Sequence, residues 1–351
     1  MSLFRRTIVN KIILFLGLSV GAAPVFGQSL GKDVSKVGTT AAPFLEIPVG
    51  ARAVGMGGAF VGTANDVTSL YWNPSGIARL YHSEALFVHS EWIADIAFDY
   101  AGLSIPIEGF GSLGLSFTSL SMDDMPVRTV DQPEGTGELF NAGSFAFGIH
   151  YARNLTDKFS IGFTAKYISE RIWHMQAHAF AFDVGTLFTT NFLNGMRIGA
   201  TISNFGTDMK LEGRDARTFH PVDPNNTGGN ERIPQNIEMD SWHLPLNFQF
   251  GVAVDAIKAE DHQVTVAIDA LHPTDNYESM NVGGEYGFQK MFFVRGGYQS
   301  LFLTDAEGGL SLGTGILAPL FGSETKARVD YAYTDFGRLQ AVHVVAVSVL
   351  F

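Results

Sequence analysis

The chain has 351 residues, no Cys, 39 Gly and 29 Phe, and its formal net charge is −12. The missing Cys excludes disulfides and Cys-based zinc or redox centres. The acidic balance leaves no basic face for phosphate, so nucleic acid is not an expected partner.

Residues 1–27 read as a secretory signal peptide. Arg5, Arg6 and Lys11 form the basic region, 12–26 is apolar, and Val25 and Gly27 suit cleavage before Gln28. The Arg5-Arg6 pair invites a twin-arginine reading, but the residues after it do not match one. Losing these three cations takes the mature chain from −12 to −15. No other stretch reaches the about 18 apolar residues of a membrane helix.

Residues 44–80 form a compact Gly-rich stretch containing Gly50, Gly55, Gly57, Gly58 and Gly62. Residues 64–72 suit a short helix started by Asn65 or Asp66. Asn73-Pro74-Ser75-Gly76 reads as a turn. The run Gly55-Met56-Gly57-Gly58 lacks the following Lys-Ser/Thr and the βαβ setting of a phosphate-binding loop, so no nucleotide cofactor is expected.

From residue 83 the pattern has a period of two, the signature of strands. Fourteen alternating segments lie near 83–92, 94–106, 109–120, 140–152, 157–171, 176–190, 194–205, 245–257, 261–272, 278–288, 291–300, 307–319, 325–335 and 339–351. Bulky apolar residues occupy one face. Gly, Ala, Ser, Thr and charges occupy the other, as in Leu113, Leu115 and Phe117 against Ser112, Gly114 and Ser116. A face so small and wet is no soluble core, but it suits the lumen of a barrel whose outside meets lipid. Gaps after even-numbered segments are short, whereas the long polar gaps, 121–139 and 206–244, follow odd-numbered ones. That asymmetry matches short periplasmic turns and long outer loops.

The chain ends on alternating Val345, Val347, Val349 and Phe351. Val347, Val349 and Phe351 resemble the terminal signal by which barrel-assembly machinery recognises its clients. The expectation is an all-β, antiparallel transmembrane barrel of about fourteen strands in a Gram-negative-type outer membrane, with the lipid bilayer as its surroundings. Residues 1–27 would be the signal peptide, 28–80 a hatch (plug) inside the lumen, and 81–351 the barrel.

The run GARAVGMGGAFVGTANDVTSLYWNPSG resembles the N-terminal signature of the PorV/PorQ group, relatives of the FadL-type fatty-acid channels. The likeness covers about residues 48–80 and rests on Gly50, Arg52, Gly55, Met56, Gly57, Gly58, Trp72, Asn73, Pro74 and Gly76. Ser75 departs from the group's usual Ala. The resemblance implies a fourteen-stranded barrel with an internal hatch. It also implies a non-enzymatic part in type IX protein secretion, with a translocon and exported cargo as partners engaged through outer loops. The other implied reading is a FadL-like channel for hydrophobic small molecules, gated near Asn73-Pro74.

No catalytic, metal or cofactor site is expected. His89 and Ser90 are strand neighbours pointing to opposite faces, so they form no dyad. His174 and His178 have a helical metal spacing but sit at a hairpin. Trp92, Trp173 and Trp242 read as an aromatic girdle at the outer strand ends. Lys166, Asp183, Arg197, Asp255, Asp269, Glu285, Arg295, Arg328 and Asp330 are expected to point into the lumen and pair there.

Overall fold

A computed structural model describes residues 36–220, 232–303, 306–320 and 324–351. The expected signal peptide and the Pro- and Asn-rich run at 221–229 lie outside the described residues.

Fourteen long strands close into an antiparallel barrel. They are β1 (Glu84–Trp92), β2 (Ile96–Ile107), β3 (Gly111–Ser121), β4 (Ala142–Asn154), β5 (Phe159–Ile172), β6 (Met175–Thr189), β7 (Arg197–Gly206), β8 (Asn247–Lys258), β9 (His262–Pro273), β10 (Ser279–Phe288), β11 (Phe292–Leu301), β12 (Leu310–Pro319), β13 (Lys326–Asp335) and β14 (Ala341–Leu350). Each pairs with its sequence neighbour, and β14 pairs with β1, Val347 opposite Phe87 and Val349 opposite Ala85. Phe351 and Ser83 exchange backbone hydrogen bonds of 3.0 and 3.1 Å, which fastens the last residue to the start of β1. Every strand end falls within three residues of the sequence expectation.

The pleat is inverted relative to a soluble sheet. Phe117, Phe147, Phe182, Phe250 and Val345 are exposed on the outer surface, whereas Ser104, Ser112, Thr164, Thr201 and Ser311 are buried. Large apolar side chains outside and small polar ones inside suit lipid around the barrel. No described helix is long and apolar enough to cross a membrane.

The outer loops are built rather than irregular. Met125–Pro126 pairs with Leu139–Phe140, Arg217–His220 with Ile233–Asn236, and Met209–Lys210 with Ser241–Trp242, while Glu212–Gly213 extends β6. Their polarity leaves them no core, yet each ladder satisfies backbone groups locally.

A lumen this wide needs filling. Residues from Ala42 to Ile77 supply it, and Phe44, Val49, Met56, Phe60, Leu70 and Ile77 are almost completely buried. The filler is mostly backbone, and it fits because the wall beneath it is glycine. A Cβ on Gly283 would lie 2.0 Å from the Met56 carbonyl oxygen, and one on Gly162 would lie 2.3 Å from the Pro74 carbonyl carbon. The glycine excess is therefore a docking surface as well as the small face of a pleat. Gly283→Val should overpack this contact, cost about 1–3 kcal/mol and raise the single-channel conductance of the barrel in planar bilayers.

Candidate functional site

The segment enters from the outer mouth. The Ala41 amide donates to the His243 carbonyl at 2.8 Å, and the Thr40 hydroxyl donates to Asp275 at 2.8 Å. It then descends through a short 3₁₀ turn (Pro43–Glu46), a one-turn helix (Ala51–Gly55), a second turn of helix (Ser69–Trp72) and a 3₁₀ stretch (Pro74–Arg79). At the inner end Arg79 donates to the Ser160 hydroxyl at 2.8 Å and to the Leu187 carbonyl at 2.9 Å. The second helix is shorter than its sequence implies. It starts at Ser69, and Asp66 sits at the turn before it, its carboxylate accepting from the Thr68 amide at 2.9 Å and from Arg52.

Each motif residue has a steric or bonding task. Gly50, Gly57 and Gly58 have φ of +87°, +64° and +73°, a region that favours glycine. Gly55 lies against Gly313, and a Cβ on Gly76 would lie 2.4 Å from the Ala64 carbonyl oxygen. The Trp72 indole donates to the Val49 carbonyl at 2.8 Å. The Asn73 amide donates to the carbonyls of Val61 and Thr186, both at 3.0 Å, and so ties hatch to hatch and hatch to β6. Its oxygen accepts from the Ser75 hydroxyl at 2.6 Å. Pro74 packs over Gly162 and Gly185.

The strongest tie is ionic. Arg52 grips Glu285 on β10 with two bonds of 2.8 and 2.7 Å, and reaches Asp66 at 2.8 Å and Asn65 at 2.7 Å. Arg295 joins Glu285 at 2.7 Å to Asp330 at 2.7 Å, and Arg328 reaches Asp330 at 2.9 Å. Three guanidiniums thus face three carboxylates, Asp66, Glu285 and Asp330, all of them nearly buried. Burial works against the Arg52 charge, but Glu285 and Asp66 outweigh it and hold the guanidinium protonated. Burial likewise opposes ionised Asp66, and Arg52 and Arg328 outweigh it, which holds Asp66 below the usual carboxylate range. Elsewhere Asp269 accepts from the Phe60 and Val61 amides at 2.7 and 2.8 Å. Lys166 pairs with Asp183 and Arg197 with Asp255, both at 2.9 Å.

All nine expected lumen charges therefore face inward and are partnered. The pairing of Arg52 with Glu285 was not visible in the sequence, because 233 residues separate them. One expectation changes. Trp92 is no girdle residue: its ring lies in the lumen, edge-on to Phe336 at 5.2 Å. The parity of β1, which places Trp92 with the buried Val88 and Ser90, carried that cue. His174 and His178 part company, His174 meeting Asp215 at 3.1 Å and His178 the Tyr167 hydroxyl at 2.9 Å. His89 turns outward to Asp99 at 2.8 Å, whereas Ser90 is buried.

A model of the family described as Type IX secretion system protein PorV matches residues 31–236. The chain belongs to this family. The match takes in the hatch, β1–β7 and much of the longest outer loop. No curated protein matches the PorV-family chain in sequence. Among solved structures, the Pseudomonas putida toluene transporter TodX is 11% identical with a TM-score of 0.52, covering 86% of this chain and 97% of its own. A Pseudomonas aeruginosa FadL homologue is 10% identical with a TM-score of 0.50, covering 87% and 98%. The monoaromatic hydrocarbon channel CymD is 12% identical with a TM-score of 0.50, covering 87% and 97%. At such identities the likeness establishes a FadL-like barrel fold and nothing about cargo.

Two predictions follow from the geometry. Arg52→Met strands buried carboxylates and should cost about 3–5 kcal/mol in urea unfolding, much of it recovered when Glu285→Gln is added. Glu46 reaches cavity water, but burial in the lumen and then nearby Asp275 push its carboxyl up to about 7. A raised acid stabilises the fold fully below its unfolded value of 4.5 and loses that contribution as pH rises to about 7. Glu46→Gln should therefore flatten the dependence of melting temperature on pH across that window.

Proposed function

We propose that this protein resides in the outer membrane and serves type IX secretion as a non-enzymatic component that engages translocon and cargo through its outer loops. The observation that carries this reading is the family match over 31–236, which includes both the hatch signature and the loops. The apolar outer surface supports a place in a bilayer. The loops add exposed apolar contacts beyond the barrel, among them Val130, Leu139, Phe219, Ile237 and Trp242. Solvated apolar side chains of this kind mark interaction surfaces.

On this reading the residues from Gly50 to Gly76 hold the lumen shut and keep the barrel rigid beneath its loops. The hydrophobic-channel reading draws support from the FadL-like fold alone. It also requires the hatch to leave a position held by buried ion pairs and glycine contacts along the whole barrel height.

Replacing residues 207–240 with a short Gly-Ser linker should abolish surface display of cargo and co-purification with the translocon. The barrel should keep its heat-modifiable mobility on gels. Normal cargo display by that variant would sink the proposal.

A further inference from the structure

Above the hatch the lumen holds a cavity of about 540 Å³ that opens toward the outer mouth. Leu70, Tyr71 and Trp72 form its floor, so it is a blind pocket when the hatch is seated. One side is aromatic, with Trp92, Tyr100 and Phe336. The remaining wall mixes aliphatic side chains, among them Leu120, Leu271 and Leu303, with carboxamides: Asn204, Asn247, Gln249, Asn276, Asn281 and Gln299.

Some of these amides serve the wall itself. Asn204 donates to the Pro245 carbonyl at 3.0 Å, and Asn281 accepts from the Ser300 amide at 2.8 Å. Others do not. The Asn247 side-chain oxygen is buried without a hydrogen-bond partner among the described residues. The side-chain amides of Gln249 and Gln299 line the cavity, and neither makes a hydrogen bond among the described residues. A hydrocarbon in this space would cover these groups without satisfying them, which costs free energy.

The charges narrow the choice further. Lys166 is the one cation among the described lining residues, and Asp183 and Asn204 already occupy its ammonium. Glu46 lines the cavity, and Asp275 lies beside it. An anionic ligand would find no free cation and would meet carboxylates on entry. What remains is a neutral molecule with apolar faces for the rings and many hydroxyls for carboxamides, each of which both donates and accepts. The volume lies within the usual range for ligand pockets, about 300–1,000 Å³.

We propose that this cavity binds a neutral oligosaccharide presented from outside, a ring face stacked on Trp92 and its hydroxyls held by Asn247, Gln249 and Gln299. This goes beyond the secretion reading and stands or falls apart from it.

The test is isothermal titration calorimetry on the full-length protein in nanodiscs, with maltotriose, triacetylchitotriose, decanoate and toluene as probes. At least one of the two sugars should bind saturably. Its affinity should fall about tenfold or more when Asn247→Ala and Gln249→Ala remove two hydrogen-bonding groups. Trp92→Phe should largely keep the affinity, and Trp92→Ala should lose it. Heat-modifiable mobility verifies that each variant barrel is folded. The proposal is overturned if neither sugar binds, if decanoate or toluene binds better than both sugars, or if the folded Asn247→Ala/Gln249→Ala variant keeps full sugar affinity.

Discussion

The buried contact between Arg52 and Glu285 is the constraint on which the rest of the molecule turns. It joins the N-terminal segment to the wall of β10 by a two-bonded grip, with Asp66 closing the other side of the guanidinium. Charges withdrawn from water are costly unless each is paired, so this cluster is stable only when the hatch is seated. Unseating it would withdraw Arg52 and Asp66 together, leaving Glu285 without its two-bonded partner and Arg328 without Asp66. The ion pairs thus fix the position of the hatch, while backbone lying on glycine supplies most of the contact area.

This arrangement fits the proposed secretion role better than it fits passage through the lumen. The hatch spans the lumen from Asp275 near the outer mouth to Ser160 at the inner end. It fills the lower lumen with Met56, Phe60 and Pro74 and leaves the cavity above Trp72. The membrane-facing surface is ordinary for a barrel. What distinguishes the molecule is above it, in loops that carry their own small ladders and exposed apolar residues, and in a blind cavity that mixes apolar side chains with carboxamides.

The barrel was almost wholly legible in the sequence, because a period of two over ten or more residues has few other readings. The inward direction of Asp269, Glu285 and Asp330 followed from the same parity. Their partners did not, since pairing across a lumen depends on tilt and stagger, which no local pattern encodes. Asp66 reads locally as a helix cap, and one of its carboxylate oxygens does meet the Thr68 amide, but the other serves Arg52, a tertiary demand no local pattern shows. Trp92 shows the opposite case: the strand-end position suggested a lipid interface, while the alternation already placed it inside. The cavity was not legible at all, because its lining is drawn from the hatch, many strands and the outer loops.

The central claim is that the barrel works with its hatch closed, through its outer face. The chain has no native Cys, so a disulfide can be engineered without interference. The pair belongs on a hatch residue and a facing wall residue whose Cα atoms stand about 4.4–6.8 Å apart, the span a disulfide needs, and not on the glycine contacts, where a Cβ has no room. The decisive measurement is surface display of cargo by cells carrying this pair, oxidised and then reduced. The account predicts equal display in both states. Loss of display on oxidation, with recovery on reduction, would show that the hatch must move and would contradict it.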